Sequence, residues 1–276
     1  MNIGRVISFA TAVIGSFYVL MTLSLLVHEV GGHLLAGALC GARTFSFSVT
    51  PGFGGWAISD YIRSESADHF VLYAGIGINA IVGLCALAFL RLRRPGLSNL
   101  GLVAFWLAVT QSGHAIGYLL QGVLFGYGDG GALARAPRAS VRYFIIACLI
   151  ALFLLLAAWA LCTIAAFVRG HFHSTTKMQL LRDHLVAFAF PVAILILAVP
   201  GMRGQPFGAQ LAFNGAVMVV LLLGSALAVQ VVAKTEPQPQ AMPISGAVSA
   251  VWTAAAVIVA LVTELWLASG VEFSFA

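Results

Sequence analysis

The chain has 276 residues, of which 61% are hydrophobic and only 8% charged, with a formal net charge of +5. Soluble domains carry about 25% charged residues, so the composition excludes an ordinary soluble globular protein and predicts an integral membrane one whose first partner is the lipid bilayer. The modest positive balance is no nucleic-acid footprint, and no nucleic-acid partner is expected.

Charge-poor runs of spanning length read at 5–27 (continuing to about 40), 69–90, 99–125, 143–168, 184–200, 210–233 and 246–268. They predict an all-α, multi-pass (polytopic) membrane protein of about seven transmembrane helices, with six as the nearest alternative. The first run follows Arg5 and is longer than the apolar core of a signal peptide. Cleavage at Ala36-Gly37-Ala38 would discard the most polar motif in the run, so it is read as a retained helix. The strongest basic cluster is Arg91, Arg93 and Arg94; counting alternate sides leans weakly towards a cytoplasmic N-terminus. Cys40, Cys85, Cys148 and Cys162 lack metal-type spacing and read as small packing residues.

Inside the first run stands His28-Glu29-Val30-Gly31-Gly32-His33. Ionisable groups at membrane depth are costly and normally face a bundle interior or a water-filled cavity. Two histidines beside a glutamate are the ligands and base of a zinc hydrolase. The histidines are five residues apart, however, and at about 100° per residue an ideal α-helix would not aim both at one ion. A π-bulge supplies the extra residue, and Gly31 and Gly32 lie where it costs least. Glu29 would then act as the catalytic proton acceptor. The plainer reading of the motif is a polar cluster that holds helices together.

After this helix, Thr44–Thr50 alternates strictly, Pro51–Gly55 signals a turn, and Trp56–Ser59 returns, predicting a small membrane-associated β-hairpin over 42–61. In the second span Asn79 is the polar residue; its amide could hold an extended substrate or a transition-state oxyanion, or hydrogen-bond between helices. His114, deep in the third span, could line the cavity, serve as third metal ligand, or pack between helices. Asp129, in Gly126-Tyr127-Gly128-Asp129-Gly130-Gly131, is the only acid between Asp68 and Asp183 and is the better candidate for third ligand beside His28 and His33. His171 and His173 are a weaker pair for a second metal. Residues 1–140 read as the metal-site core of three helices plus hairpin, and 141–276 as an accessory four-helix region.

Four landmarks in order, HEVGGHLLAGALCGA, FSFSVTPGFGGWA, AGIGINAIVG and GYGDGG, resemble the site-2-protease family of intramembrane zinc metallopeptidases, in its short branch without PDZ domains. The resemblance covers about residues 20–132. It implies a Zn2+ cofactor held by the first and fourth segments, a membrane-embedded hairpin, Asn79 at the asparagine of the AGPxxN-type segment, and hydrolysis of peptide bonds in transmembrane protein substrates. Two features depart from the pattern: the His spacing, and a missing proline-rich lead-in to Asp-Gly-Gly. The unrelated dipeptidyl peptidase III family works with an HExxxH helix of this same spacing. On that reading the 44–50 strand could pair with an unwound stretch of substrate by strand addition. The alternatives are a catalytically inactive protease-like membrane scaffold or assembly factor, and a transporter, against which the apolar last four spans argue.

Overall fold

The computed structural model describes residues 3–50, 54–93, 98–126, 128–131, 139–192, 207–234 and 244–274. In chain order its elements are α1 (Ile3–Leu39), β1 (Thr44–Thr50), β2 (Gly54–Ser59), α2 (Glu65–Arg93), α3 (Asn99–Phe125), α4 (Ala139–Phe172), α5 (Lys177–His184, continued by a π-turn over Leu185–Ala189), α6 (Phe207–Ala233), α7 (Gly246–Leu267) and β3 (Val271–Ser274). Among the described residues, five helices (α1, α2, α3, α4 and α7) are long and apolar enough to cross a membrane. The runs expected at 184–200 and 210–233 map onto α5 and α6, but residues 193–206 between them lie outside the described residues.

Two compact units make up the chain, each drawing on three stretches of sequence. The first comprises Met1–Tyr18, Leu92–Val103 and Ala157–Val257. Its helices are joined by polar links, one buried and two partly so. Trp252 Nε1 donates to Asn99 Oδ1 over 3.1 Å, the hydroxyls of Thr11 and Ser249 share a hydrogen bond, and Ser174 Oγ donates to Asp183 over 2.7 Å. His171 is buried in this unit, and both its ring nitrogens are taken. Nδ1 accepts the Ile244 N–H at 2.9 Å, and Nε2 lies 3.2 Å from the Arg5 carbonyl. The pairing of His171 with His173 as a second metal site is therefore corrected: His171 has no lone pair to offer a cation and serves to join helices.

The second unit comprises Val19–Arg91, Ala104–Leu156 and Ile258–Ala276, and it holds every residue of the candidate site. The expected hairpin is present, with Phe45, Phe47 and Val49 facing Ser59, Ala57 and Gly55 across the β1–β2 pair. Its base is pinned by Asp60, whose Oδ1 accepts the backbone N–H groups of Thr44 and Arg43 at 2.8 Å each. Those two donors hold the exposed Asp60 carboxyl below the usual carboxylate range. The hairpin is extended by β3, giving the order β2-β1-β3. Val271 and Phe273 join the face of Phe47 and Phe45, and the buried cluster of Leu25, Leu34, Phe45, Phe47, Val49 and Leu267 packs that face against α1 and the end of α7. Strand β1 is thus central: β2 pairs it over Phe45–Thr50 and β3 over Thr44–Phe47, so strand addition along the whole of 44–50 is corrected, β3 already occupying that edge over its first four residues. The pairing follows from backbone chemistry, since a buried N–H or C=O left without a partner costs several kcal/mol.

Candidate metal centre

The α1 helix does not stay α-helical through the histidine motif. From Val27 to Leu34 it winds as a π-helix, and at its end Leu35 N–H reaches the carbonyl of Val30, five residues back. One residue is added to the turn, so position i+5 takes the place that i+4 occupies in an α-helix. His28 and His33 consequently share a face, with their Nε2 atoms 3.2 Å apart. Gly32 is needed there for a packing reason: a Cβ on it would run into the backbone of Gly75 on α2.

The third member arrives from the end of α3. Gly128 takes φ +67°, a conformation that favours glycine. The following turn doubles back so closely on α3 that a Cβ on Gly130 would sit 2.6 Å from the Tyr118 carbonyl. This places Asp129 Oδ2 at 2.8 Å from His28 Nε2 and 3.1 Å from His33 Nε2. Three atoms so close together leave room for an ion about 2 Å from each, the bond length zinc makes to imidazole nitrogen and carboxylate oxygen. His28 is 1% exposed, whereas His33 and Asp129 keep 12% and 17%. The donor set fits zinc: two imidazoles and a carboxylate leave the fourth position of a catalytic site open.

Neighbouring groups orient the ligands. His33 Nδ1 is 2.7 Å from the Val71 carbonyl, which can only accept, so His33 carries a proton on Nδ1. The Tyr118 ring stacks on His28 with centroids 4.2 Å apart. Glu29 is 3% exposed, and among the described residues nothing hydrogen-bonds its carboxylate. Gly55 of β2 lies directly against it: a Cβ there would stand 2.6 Å from Glu29 Oε1.

Of the residues singled out in the sequence, His28, His33 and Asp129 come together, with Glu29 beside them. His114 does not join the group. Its Nδ1 is hydrogen-bonded to Ser24 Oγ at 2.7 Å, which corrects its reading as an alternative third ligand. Asn79 is fully buried behind His28, with Nδ2 at 3.1 Å from His28 Nδ1, so its reading as a substrate or oxyanion contact is corrected as well. Three contributors escaped the sequence reading. Tyr118 stands four residues after His114 and seven after Gln111, a stripe on one face of α3 that did carry a signal. Val71 acts through its carbonyl and carried none. Gly55 was read as turn because it follows Pro51-Gly52-Phe53-Gly54.

No family model matches this chain, and no curated protein or solved structure matches it either.

Proposed function

We propose that this protein is an intramembrane zinc metallopeptidase, with His28, His33 and Asp129 as ligands and Glu29 as the general base. The observation that carries the reading is the convergence of three ligand atoms from α1 and the α3 end within 3.2 Å of one another, beside an uncommitted carboxylate. A scaffold needs hydrogen bonds between its helices, but it has no use for a buried acid without a hydrogen-bond partner. The π-turn also removes the objection that five-residue spacing raises to a metal site.

Zinc held there would polarise a carbonyl and bring the pKa of a water towards neutrality. Glu29 accepts the proton of the attacking water and returns it to the departing amine. A transmembrane substrate hides its scissile carbonyl within its own helix and must first become extended. The sheet supplies the surface that such a segment needs. The bond from Asp60 N–H to the Thr44 carbonyl sets the phase of the β1–β2 ladder, so Gly55, Ala57 and Ser59 turn their N–H and C=O groups away from β1. Among the described residues no strand pairs with that outer edge. Non-helical backbone at membrane depth persists where it lines a cavity. An extended substrate added along this edge passes Gly55, and therefore Glu29. Trp56 and Ile58, on the opposite face, are 46% and 63% exposed, as lipid-facing side chains are.

Elemental analysis of detergent-purified protein tests the metal. Wild type is expected to hold about one zinc per chain, and His28→Ala close to none. Wild type that holds no more zinc than His28→Ala, even after incubation with the metal, would end the peptidase reading.

A further inference from the structure

The stripe of α2 that faces the metal centre is read by three positions spaced four residues apart. Val71 offers its carbonyl to His33 Nδ1, Gly75 lies against both imidazoles, and Asn79 reaches His28 Nδ1. Residues at this spacing share one face of a helix, so a single element governs the back of both ligands. It does so with two different chemistries. A carbonyl can only accept, whereas a primary amide can donate through Nδ2 or accept through Oδ1.

We propose, resting on the metal-centre reading above, that Asn79 is a positioning residue that selects the tautomer of His28. In the arrangement seen here Asn79 Nδ2 faces His28 Nδ1 at 3.1 Å, and Oδ1 has no partner. Nδ1 then accepts, the ring proton sits on Nε2, and that proton is directed at Asp129 Oδ2 2.8 Å away. His33 Nε2 lies 3.1 Å from the same oxygen and 3.2 Å from His28 Nε2. The Nε2 proton of His28 thus ties this ligand to Asp129 without a cation. A half-turn of the amide presents Oδ1 to Nδ1 instead, which demands a proton on Nδ1 and releases the Nε2 lone pair for a metal. An amide serves both conditions in the same volume. Aspartate, which accepts only, would hold His28 in the metal-ready tautomer throughout, and leucine would hold neither. Outer partners of this kind typically tune metal affinity by 10- to 100-fold.

The experiment compares the full chain with Asn79→Asp and Asn79→Leu, each labelled with 15N-histidine and purified in detergent. The 15N shifts of His28 are read in metal-free protein, and zinc affinity is measured by competition with a chromophoric chelator. The expected wild-type spectrum shows a protonated Nε2 without metal and a protonated Nδ1 with zinc; Asn79→Asp shows the protonated Nδ1 from the start. Zinc affinity is expected to fall by about 10- to 100-fold in Asn79→Leu and to stay within about threefold of wild type in Asn79→Asp. A role confined to helix packing would weaken both variants alike and leave the tautomer unmoved, and that result overturns the proposal. If wild type takes up no zinc, the peptidase reading falls. The metal-free spectra then decide the tautomer proposal alone: a His28 signal identical in wild type and Asn79→Asp sinks it, and a shifted one sustains it.

Discussion

Glu29→Gln is expected to bind about one zinc per chain, as wild type does, and to cleave membrane-embedded substrates about 10²–10⁴ times more slowly. Glutamine has the same shape and fits the same space against Gly55, so the π-turn and the ligands on it are undisturbed. What disappears is the capacity to accept a proton. Hydrogen bonds would hold a structural carboxylate in place, yet Glu29 has none among the described residues. It is held by confinement: a hypothetical Cβ on Gly55 would stand 2.6–2.9 Å from Oε1, Cγ and Cδ of Glu29. Zinc content and single-turnover cleavage of a single-span substrate, measured on the same preparation, check the outcome. Undiminished cleavage would remove Glu29 from the role of base. Loss of zinc would show instead that its charge helps to hold the metal.

The centre was largely legible in the sequence because its chemistry sits on side chains that are rare in this chain. With seven histidines and nine acids in 276 residues, His28, Glu29, His33 and Asp129 stand out against an apolar background. The need for a π-bulge followed from counting degrees around a helix, and the hairpin followed from alternation at Thr44–Thr50. The rest of the site was less visible because backbone and neighbours supply it. Strand β3 is foreshadowed by alternation of Val271 and Phe273 with Glu272 and Ser274, but four residues give a weak period, and what makes them a strand is the open edge of β1. The same pairing covers one edge of β1 over Thr44–Phe47 and leaves the outer edge of β2 without a strand among the described residues. Asn79 was identified as important, but its direction depends on how α2 is rotated, which sequence period alone does not specify. His171 illustrates the converse: a histidine near a helix end looked available, and tertiary contacts consumed both its nitrogens.

Gly75→Ala is expected to lower zinc affinity by up to about a hundredfold while leaving the protein folded. A Cβ at this position would lie 2.6 Å from His28 Cε1, 2.7 Å from His28 Nε2 and 2.7 Å from His33 Nε2, so the added methyl falls on both ligands at once. The same glycine backbone is packed on Gly32 of α1, so a retreat of α2 would open that contact as well. The rings must move instead, and ring movement breaks the convergence with Asp129. Overpacking of this kind costs about 1–3 kcal/mol, and about 3 kcal/mol expressed through the ligands corresponds to roughly two orders of magnitude in affinity. Gly55→Ala supplies the contrast. The three atoms nearest its methyl would all belong to Glu29, so zinc is expected to remain while turnover falls. Chelator competition on both variants separates the two effects. Wild-type zinc affinity in Gly75→Ala would mean that the imidazoles do not sit against α2 when metal is bound, and the centre would have to be rebuilt without that helix.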